Sequence, residues 1–211
     1  VDVYRKINGF MAAITWHDGK LLPSTTGSLD SDFVDYIMDH VTPEIEKVCE
    51  KNPHLTFLFE CVHKNDPHII PEETGLYLIG YNNKRWEYDE VINADDLHNF
   101  AEQMKCRSPI HFKTTVQFLK TLASSVTHEG FVAYTSCGQS FKIKTPYYLM
   151  SKLLARSKNL GRLVSPNIKE IMPEEFYPLV DEIQKDTVSF LSMSEQDRLT
   201  WIRKYLEGIN E

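Results

Sequence analysis

The stretch Val3-Tyr4-Arg5-Lys6-Ile7-Asn8-Gly9-Phe10-Met11-Ala12-Ala13-Ile14-Thr15-Trp16 sets Lys-x-Asn-Gly inside an apolar, β-leaning run. A lysine flanked by apolar and aromatic residues on a strand is partly desolvated. Desolvation disfavours an ammonium, and a neutral amine is a nucleophile. The same residues also read as a strand lysine whose ammonium snorkels to water. What the rest of the chain supplies decides between these readings.

The chain has 211 residues, enough for one domain or for a core with a small appendage. Its 42% hydrophobic and 25% charged residues are those of a folded soluble protein. No apolar run approaches the ~20 residues that span a bilayer, and no signal peptide is visible, so no membrane is expected. Cys49, Cys61, Cys106 and Cys137 are scattered and form no CxxC pair. That argues against a zinc ribbon or a disulfide framework and suits a reducing cytoplasm. A net charge of -7 advertises no nucleic-acid surface, so any such binding must come from a local patch. The chain opens at Val1 without an initiator methionine, which leaves room for residues upstream.

Working outward, residues 2–16 read as one strand, followed by an Asp18-Gly19 hairpin turn and a return at Lys20-Leu21-Leu22. Ser24-Thr25-Thr26-Gly27-Ser28 is a polar loop. Ser31 is placed to cap a helix running to Lys51, with Pro43 a point of interruption. Leu55 to Val62 is a dense apolar strand with one acid, Glu60, which costs several kcal/mol there unless it has a partner or faces water. Ile69-Ile70 and Leu76–Tyr81 read as strands on either side of a Pro71–Gly75 turn. Asn82–Arg85 reads as a turn and Trp86–Tyr88 as a short extension. Helices are expected over Asp95–Met104 and Val116–Val126. A second hairpin follows through Phe131–Tyr134, a Cys137-Gly138 turn and Ser140–Thr145. It carries Glu129 at its entrance, and Lys142 and Lys144 on one face of its exit strand. Beyond Tyr147 the chain reads as helical near 147–159, 173–185 and 194–206, the last opened by a Ser192/Glu195 capping box. Lys152, Arg156, Lys158, Arg162 and Lys169 occur there without an intervening acid, a candidate patch for RNA phosphates or simply a solvated face.

The order of these pieces carries a resemblance. Lys-x-Asn-Gly comes first, then Phe59-Glu60, then Glu129-Gly130-Phe131-Val132, then Phe141-Lys142-Ile143-Lys144 ahead of Tyr147-Tyr148. Over about residues 1–160 this resembles the nucleotidyltransferase core of ATP-dependent RNA ligases. It is most similar to the phage-type RNA ligase 1 family and next to the ligase domain of fungal tRNA ligases. The resemblance implies an α+β fold of antiparallel sheets flanked by helices, with a core at 1–150 and a small C-terminal helical region at 151–211. It implies that Lys6 takes the covalent AMP, that Asn8 and Gly9 complete its motif, and that Glu60 contacts the ribose. It further implies that Glu129 serves the lysine and its Mg²⁺ or Mn²⁺, that Lys142 and Lys144 contact phosphates, and that Tyr148 lies at the nucleotide. Phage members carry a lysine where this chain has Thr26. They also carry basic residues on a segment ahead of the motif lysine, whereas this sequence begins five residues before Lys6, so that segment either lies upstream or is dispensed with.

The residue types suit that chemistry in their own right. A lysine–AMP bond needs an unprotonated amine in line with the α-phosphorus, and cations stabilise charge on the phosphate oxygens. Mg²⁺ prefers few carboxylates and several waters, which suits Glu129. There is no GxxxxGK[ST] loop. The expected function is ATP-dependent joining of RNA 5′-phosphate and 3′-hydroxyl ends, with RNA, including nicked tRNA, and ATP as partners and a monomer as the working state. The competing readings are a DNA ligase, a capping-type guanylyltransferase and a non-catalytic RNA-binding module. The expectation is geometric: Lys6, Glu60, Glu129 and Lys142 must converge.

Overall fold

The computed structural model describes residues 1–83 and 93–209. Of the turn expected at Asn82–Arg85, Asn82 and Asn83 instead complete a strand that starts at Gly75, while Lys84-Arg85 and the extension at Trp86–Tyr88 lie outside the described residues. The chain contacts itself as two compact units, Val1–Val116 with Phe131–Lys142, and Gln117–Gly130 with Ile143–Glu211.

The first unit is built on two antiparallel sheets. The opening run is not one strand. It forms β1 (Asp2–Lys6) and β2 (Phe10–His17), and the two belong to different sheets. The break has a physical cause at Asn8 and Gly9. The buried Asn8 side chain accepts the Ile70 N–H at 2.8 Å. A Cβ on Gly9 would sit 2.2 Å from the Cys61 carbonyl oxygen, so only glycine lets the chain cross there. Ile69 and Ile70 are buried bends, not a strand. The Ile70 N–H is committed to the Asn8 side chain.

β3 (Lys20–Thr25) returns beside β2 through Asp18 and Gly19, both at positive φ, as the Asp-Gly pair predicts. The expected long helix divides into α1 (Asp32–Met38) and α2 (Pro43–Lys51). Pro43 supplies no N–H and holds Thr42 extended, and the Thr42 hydroxyl caps α2 by accepting the Ile45 N–H at 3.3 Å. β4 (Leu55–Val62) pairs with both β2 and β5 (Gly75–Asn83), giving the order β3-β2-β4-β5. The register between β4 and β5 shifts between Leu58 and Phe59. α3 (Ala94–Met104) follows. Ile14, Phe57, Phe59 and Leu78 pack on Ile37, Ile45, Leu97 and Met104, so one face of this sheet is the core. Fully burying each such side chain contributes about 2–3 kcal/mol.

The other sheet has the order β6-β1-β7-β8, with β6 (His111–Lys113), β7 (Gly130–Tyr134) and β8 (Ser140–Lys144). β6 is three residues long, too short to show a period, and was not legible in the sequence. The second unit contributes α4 (Val116–Ser125), α5 (Pro146–Ala155), α6 (Leu160–Val164), α7 (Tyr177–Lys185), α8 (Thr187–Ser192) and α9 (Glu195–Ile209). The expected segment 147–159 thus ends at Ala155, and short 3₁₀ turns at Pro166–Ile171 and Glu174–Phe176 precede α7. The cap of α9 is Ser194, not Ser192. Ser194 Oγ accepts the Asp197 N–H at 3.1 Å, while Ser192 closes α8. The buried Arg198 guanidinium donates to the carbonyls of Ala155, Ser157, Phe190 and Leu191, satisfying helix ends that would otherwise be orphaned.

Candidate active site

β1 delivers Lys6 at its last position, next to the crossing. Lys6 Nζ lies 3.9 Å from Glu60 Oε1, with the two side chains only 19% and 11% exposed. It also lies 3.4 Å from the Ile7 carbonyl. Glu60 Oε1 accepts the Gly9 N–H at 3.0 Å. A carboxylate on a buried strand therefore has the partners its burial demands, and both come from the Lys-x-Asn-Gly motif.

Lys6 and Glu60 line a cavity of about 460 Å³ inside the first unit. Tyr4 and Lys6 reach it from β1, Val132 and Tyr134 from β7, Lys142 from β8, and Leu58 and Glu60 from β4. Burial, then the charges of Asp2 and Asp95, push the Tyr4 phenol up to about 12, so it stays neutral at the wall. Burial likewise pushes the Cys61 thiol behind Glu60 up to about 12. Both groups therefore stay protonated at neutral pH.

The second unit holds the other motif residues. Glu129 is almost fully buried, and Lys144 Nζ lies 3.4 Å from its Oε1, with Glu129 3% and Lys144 36% exposed. Lys144 Nζ also sits 4.7 Å from the centroid of the Tyr148 ring, and Lys152 Nζ 5.8 Å from it. The local sequence fixes this group. Thr145 Oγ1 donates to the His128 carbonyl at 2.6 Å and accepts the Tyr148 N–H at 3.1 Å, capping α5 beside Glu129. Gly130 has φ +145°, and a Cβ there would lie 2.0 Å from the Ile143 carbonyl.

The predicted residues therefore gather as two groups. Lys6, Glu60 and Lys142 line one cavity, Gly9 donates to Glu60 and Asn8 accepts from Ile70, and Glu129, Lys144 and Tyr148 form a cluster in the second unit. Thr26 is exposed beyond the end of β3, in a loop whose Gly27 and Ser28 N–H groups bond to Thr25 Oγ1. Among the basic residues of 152–169, Arg156 pairs with Glu195 at 2.8 Å and Lys169 with Asp181 at 2.5 Å. Sequence reasoning missed Tyr4, Val132 and Tyr134. Period two was the available signal, since Tyr4 shares a face with Lys6 and Val132 with Tyr134. Arg5 and Glu72, paired at 2.8 Å, gave no such signal.

Among the described residues, no group of three or more His, Cys, Asp or Glu side chains could hold a metal ion. Glu129 is a single carboxylate. It fits a Mg²⁺-like ion whose other ligands are waters and phosphate oxygens.

A family model for RNA ligase matches residues 1–148. The chain belongs to the RNA ligase family. No curated protein matches the chain. Among solved structures, this RNA ligase family member is similar to an archaeal ATP-dependent RNA ligase, at 12% identity and TM-score 0.60, over 97% of this chain and 57% of that one. It is similar to a putative ATP-dependent DNA ligase from Aquifex aeolicus, at 14% identity and TM-score 0.57, over 95% of this chain and 57% of that one. It is also similar to an RNA ligase from Naegleria gruberi solved with pyrophosphate, at 14% identity and TM-score 0.55, over 71% and 50% of the two chains. These likenesses show the fold, two antiparallel sheets flanked by helices, as the sequence implied. The chain spans between half and three fifths of the length of these ligases. Among the described residues no helix is long and apolar enough to cross a membrane.

Proposed function

We propose that this chain carries the nucleotidyltransferase chemistry of an ATP-dependent RNA ligase, sealing an RNA 5′-phosphate to a 3′-hydroxyl through a lysyl-AMP intermediate. The observation that carries the reading is Lys6 beside Glu60 at the wall of a 460 Å³ cavity, in a chain of the RNA ligase family. That volume suits a nucleotide-sized ligand.

Lys6 Nζ attacks the α-phosphorus of ATP. A nitrogen–phosphorus bond forms, the bond to pyrophosphate breaks, and the lysine nitrogen loses its proton. An oxygen of the RNA 5′-phosphate then attacks the same phosphorus and releases Lys6. The 3′-hydroxyl attacks the 5′-phosphate, AMP leaves, and the strand is closed. Glu60 accepts from the ribose hydroxyls while its bond to the Gly9 N–H fixes its orientation. Lys142 and Lys144 neutralise phosphate charge, and Tyr148 holds Lys144 by its ring face. Glu129 holds the divalent ion, Mg²⁺ or Mn²⁺, which when bound supplies charge stabilisation for the phosphate oxygens. RNA, including nicked tRNA, and ATP are the partners proposed. A Naegleria gruberi RNA ligase variant was solved with ATP and Mn, in keeping with that nucleotide and metal class.

The test is incubation with ATP or GTP labelled at the α-phosphate, then a denaturing gel. Covalent label from ATP that disappears in Lys6→Ala is expected. Label from GTP alone, or ATP label that survives Lys6→Ala, overturns the reading. Ends of RNA and of DNA offered to the labelled protein decide the polymer, and sealing of DNA alone would give the chain to the DNA ligases.

A further inference from the structure

The connection between β4 and β5 reaches back to both sides of Lys6. On the side before it, Arg5 Nη2 sits between the two oxygens of Glu72, at 2.9 and 2.8 Å. The Glu72 side chain is 5% exposed, so its charge is nearly out of water, and that cation is one of the groups that offset its burial. On the side after it, Asn8 Oδ1 accepts the Ile70 N–H in a buried bond of 2.8 Å. The far end of the connection is anchored in turn. Tyr77 Oη donates to the Glu73 carbonyl at 2.9 Å, and Arg107 donates to the Thr74 carbonyl at 2.9 Å and pairs with Glu73.

We infer that Glu72 is a positioning residue for Lys6, acting through Arg5: the β4–β5 connection holds the side chains of the residues on both flanks of the nucleophile, Arg5 and Asn8. This rests on the reading of Lys6 as the residue that takes AMP. In-line attack is sensitive to placement, and a shift of about 1 Å can cost ~100-fold in rate. The Arg5–Glu72 pair lies one residue from the amine that must be placed, and the pair is held by a segment fixed at four other points.

The experiment uses the full chain and two assays. One follows covalent AMP labelling, which needs Lys6 as nucleophile. The other follows sealing of an RNA whose 5′ end is already adenylylated, which does not. Glu72→Gln is expected to slow labelling about 10- to 100-fold while sealing of the pre-adenylylated strand runs at the wild-type rate. Wild-type labelling by Glu72→Gln, or equal loss in both assays, overturns the proposal. Should Glu72→Gln not fold, the double variant Arg5→Met/Glu72→Leu replaces the buried pair with apolar groups, a change often neutral for stability. It is expected to show the same split, and wild-type labelling by it overturns the proposal. A wild-type chain that takes no label refutes the reading of Lys6 itself, whereas a labelled wild type with an equally labelled Glu72→Gln refutes only the positioning role.

Discussion

Two buried acids in this protein are held by similar means in different places. Glu60 sits on β4 and takes its hydrogen bond from the Gly9 N–H, 51 residues away in sequence, with Lys6 3.9 Å off. Glu129 precedes β7 and pairs with Lys144, 15 residues on, at 3.4 Å. Each stands by a glycine where an added Cβ would meet backbone, Gly9 against the Cys61 carbonyl and Gly130 against that of Ile143. The difference is in wiring. The second group is assembled by one hairpin and one helix cap. The first needs two sheets to meet. The lysine of the first group is also the more enclosed, 19% exposed against 36% for Lys144. Under the proposed chemistry that assigns the covalent bond to the first group and assistance to the second.

The largest effect should break that division. Lys6→Ala is expected to reduce covalent AMP label to background. Lys144→Ala and Glu129→Gln should leave measurable label, lowered by about 100-fold, the usual scale for losing one charge-stabilising group. Complete loss in all three, read on the same gel, would erase the distinction.

The glycines come next. Gly130→Ala meets both a backbone clash and a positive φ, so the expected loss of stability is about 3–5 kcal/mol. Gly9→Ala meets the clash alone and should lose about 1–3 kcal/mol. Denaturant unfolding of both variants checks the order, and a reversed order would mean that the strand crossing at Gly9 is the more rigid of the two.

The smallest effect belongs to the first unit and to pH. Burial, with the neighbouring His63, lowers His40 from the ordinary histidine value, and its Nε2 has no hydrogen-bond partner among the described residues. In the unfolded chain the same ring takes a proton near pH 6.5. The unfolded state therefore binds more protons as the pH drops, and the stability present above about pH 6.5 is progressively lost below it. His40→Phe should flatten the fall of the thermal midpoint between about pH 7 and 5. An unchanged slope would assign that fall to other groups.

Much of the fold was legible because its signals are local. The Asp18-Gly19 turn, the helix at 94–104 and the Cys137-Gly138 hairpin all stand where the residues imply. The long opening strand and the strand at Ile69-Ile70 did not survive, for one reason. Asn8, Gly9 and Ile70 are committed to contacts across more than 50 residues, which no local period records. Likewise Ser192 and Ser194 are equally good caps on paper, and the end of α8 at Ser192 selects Ser194.

By itself the sequence determined the motif order, the residue chemistry and the family, because those reside in side-chain identity and spacing. It also determined the cluster of Glu129, Lys144 and Tyr148, whose members fall within 20 residues and one hairpin. Only the tertiary structure decided that Lys6 ends one strand and Phe10 begins another in a different sheet, that Glu60 meets Lys6 at the cavity wall, and that Arg5 and Glu72 meet. Those contacts join segments that share no turn or period, and their partners are chosen by the packing of the two sheets.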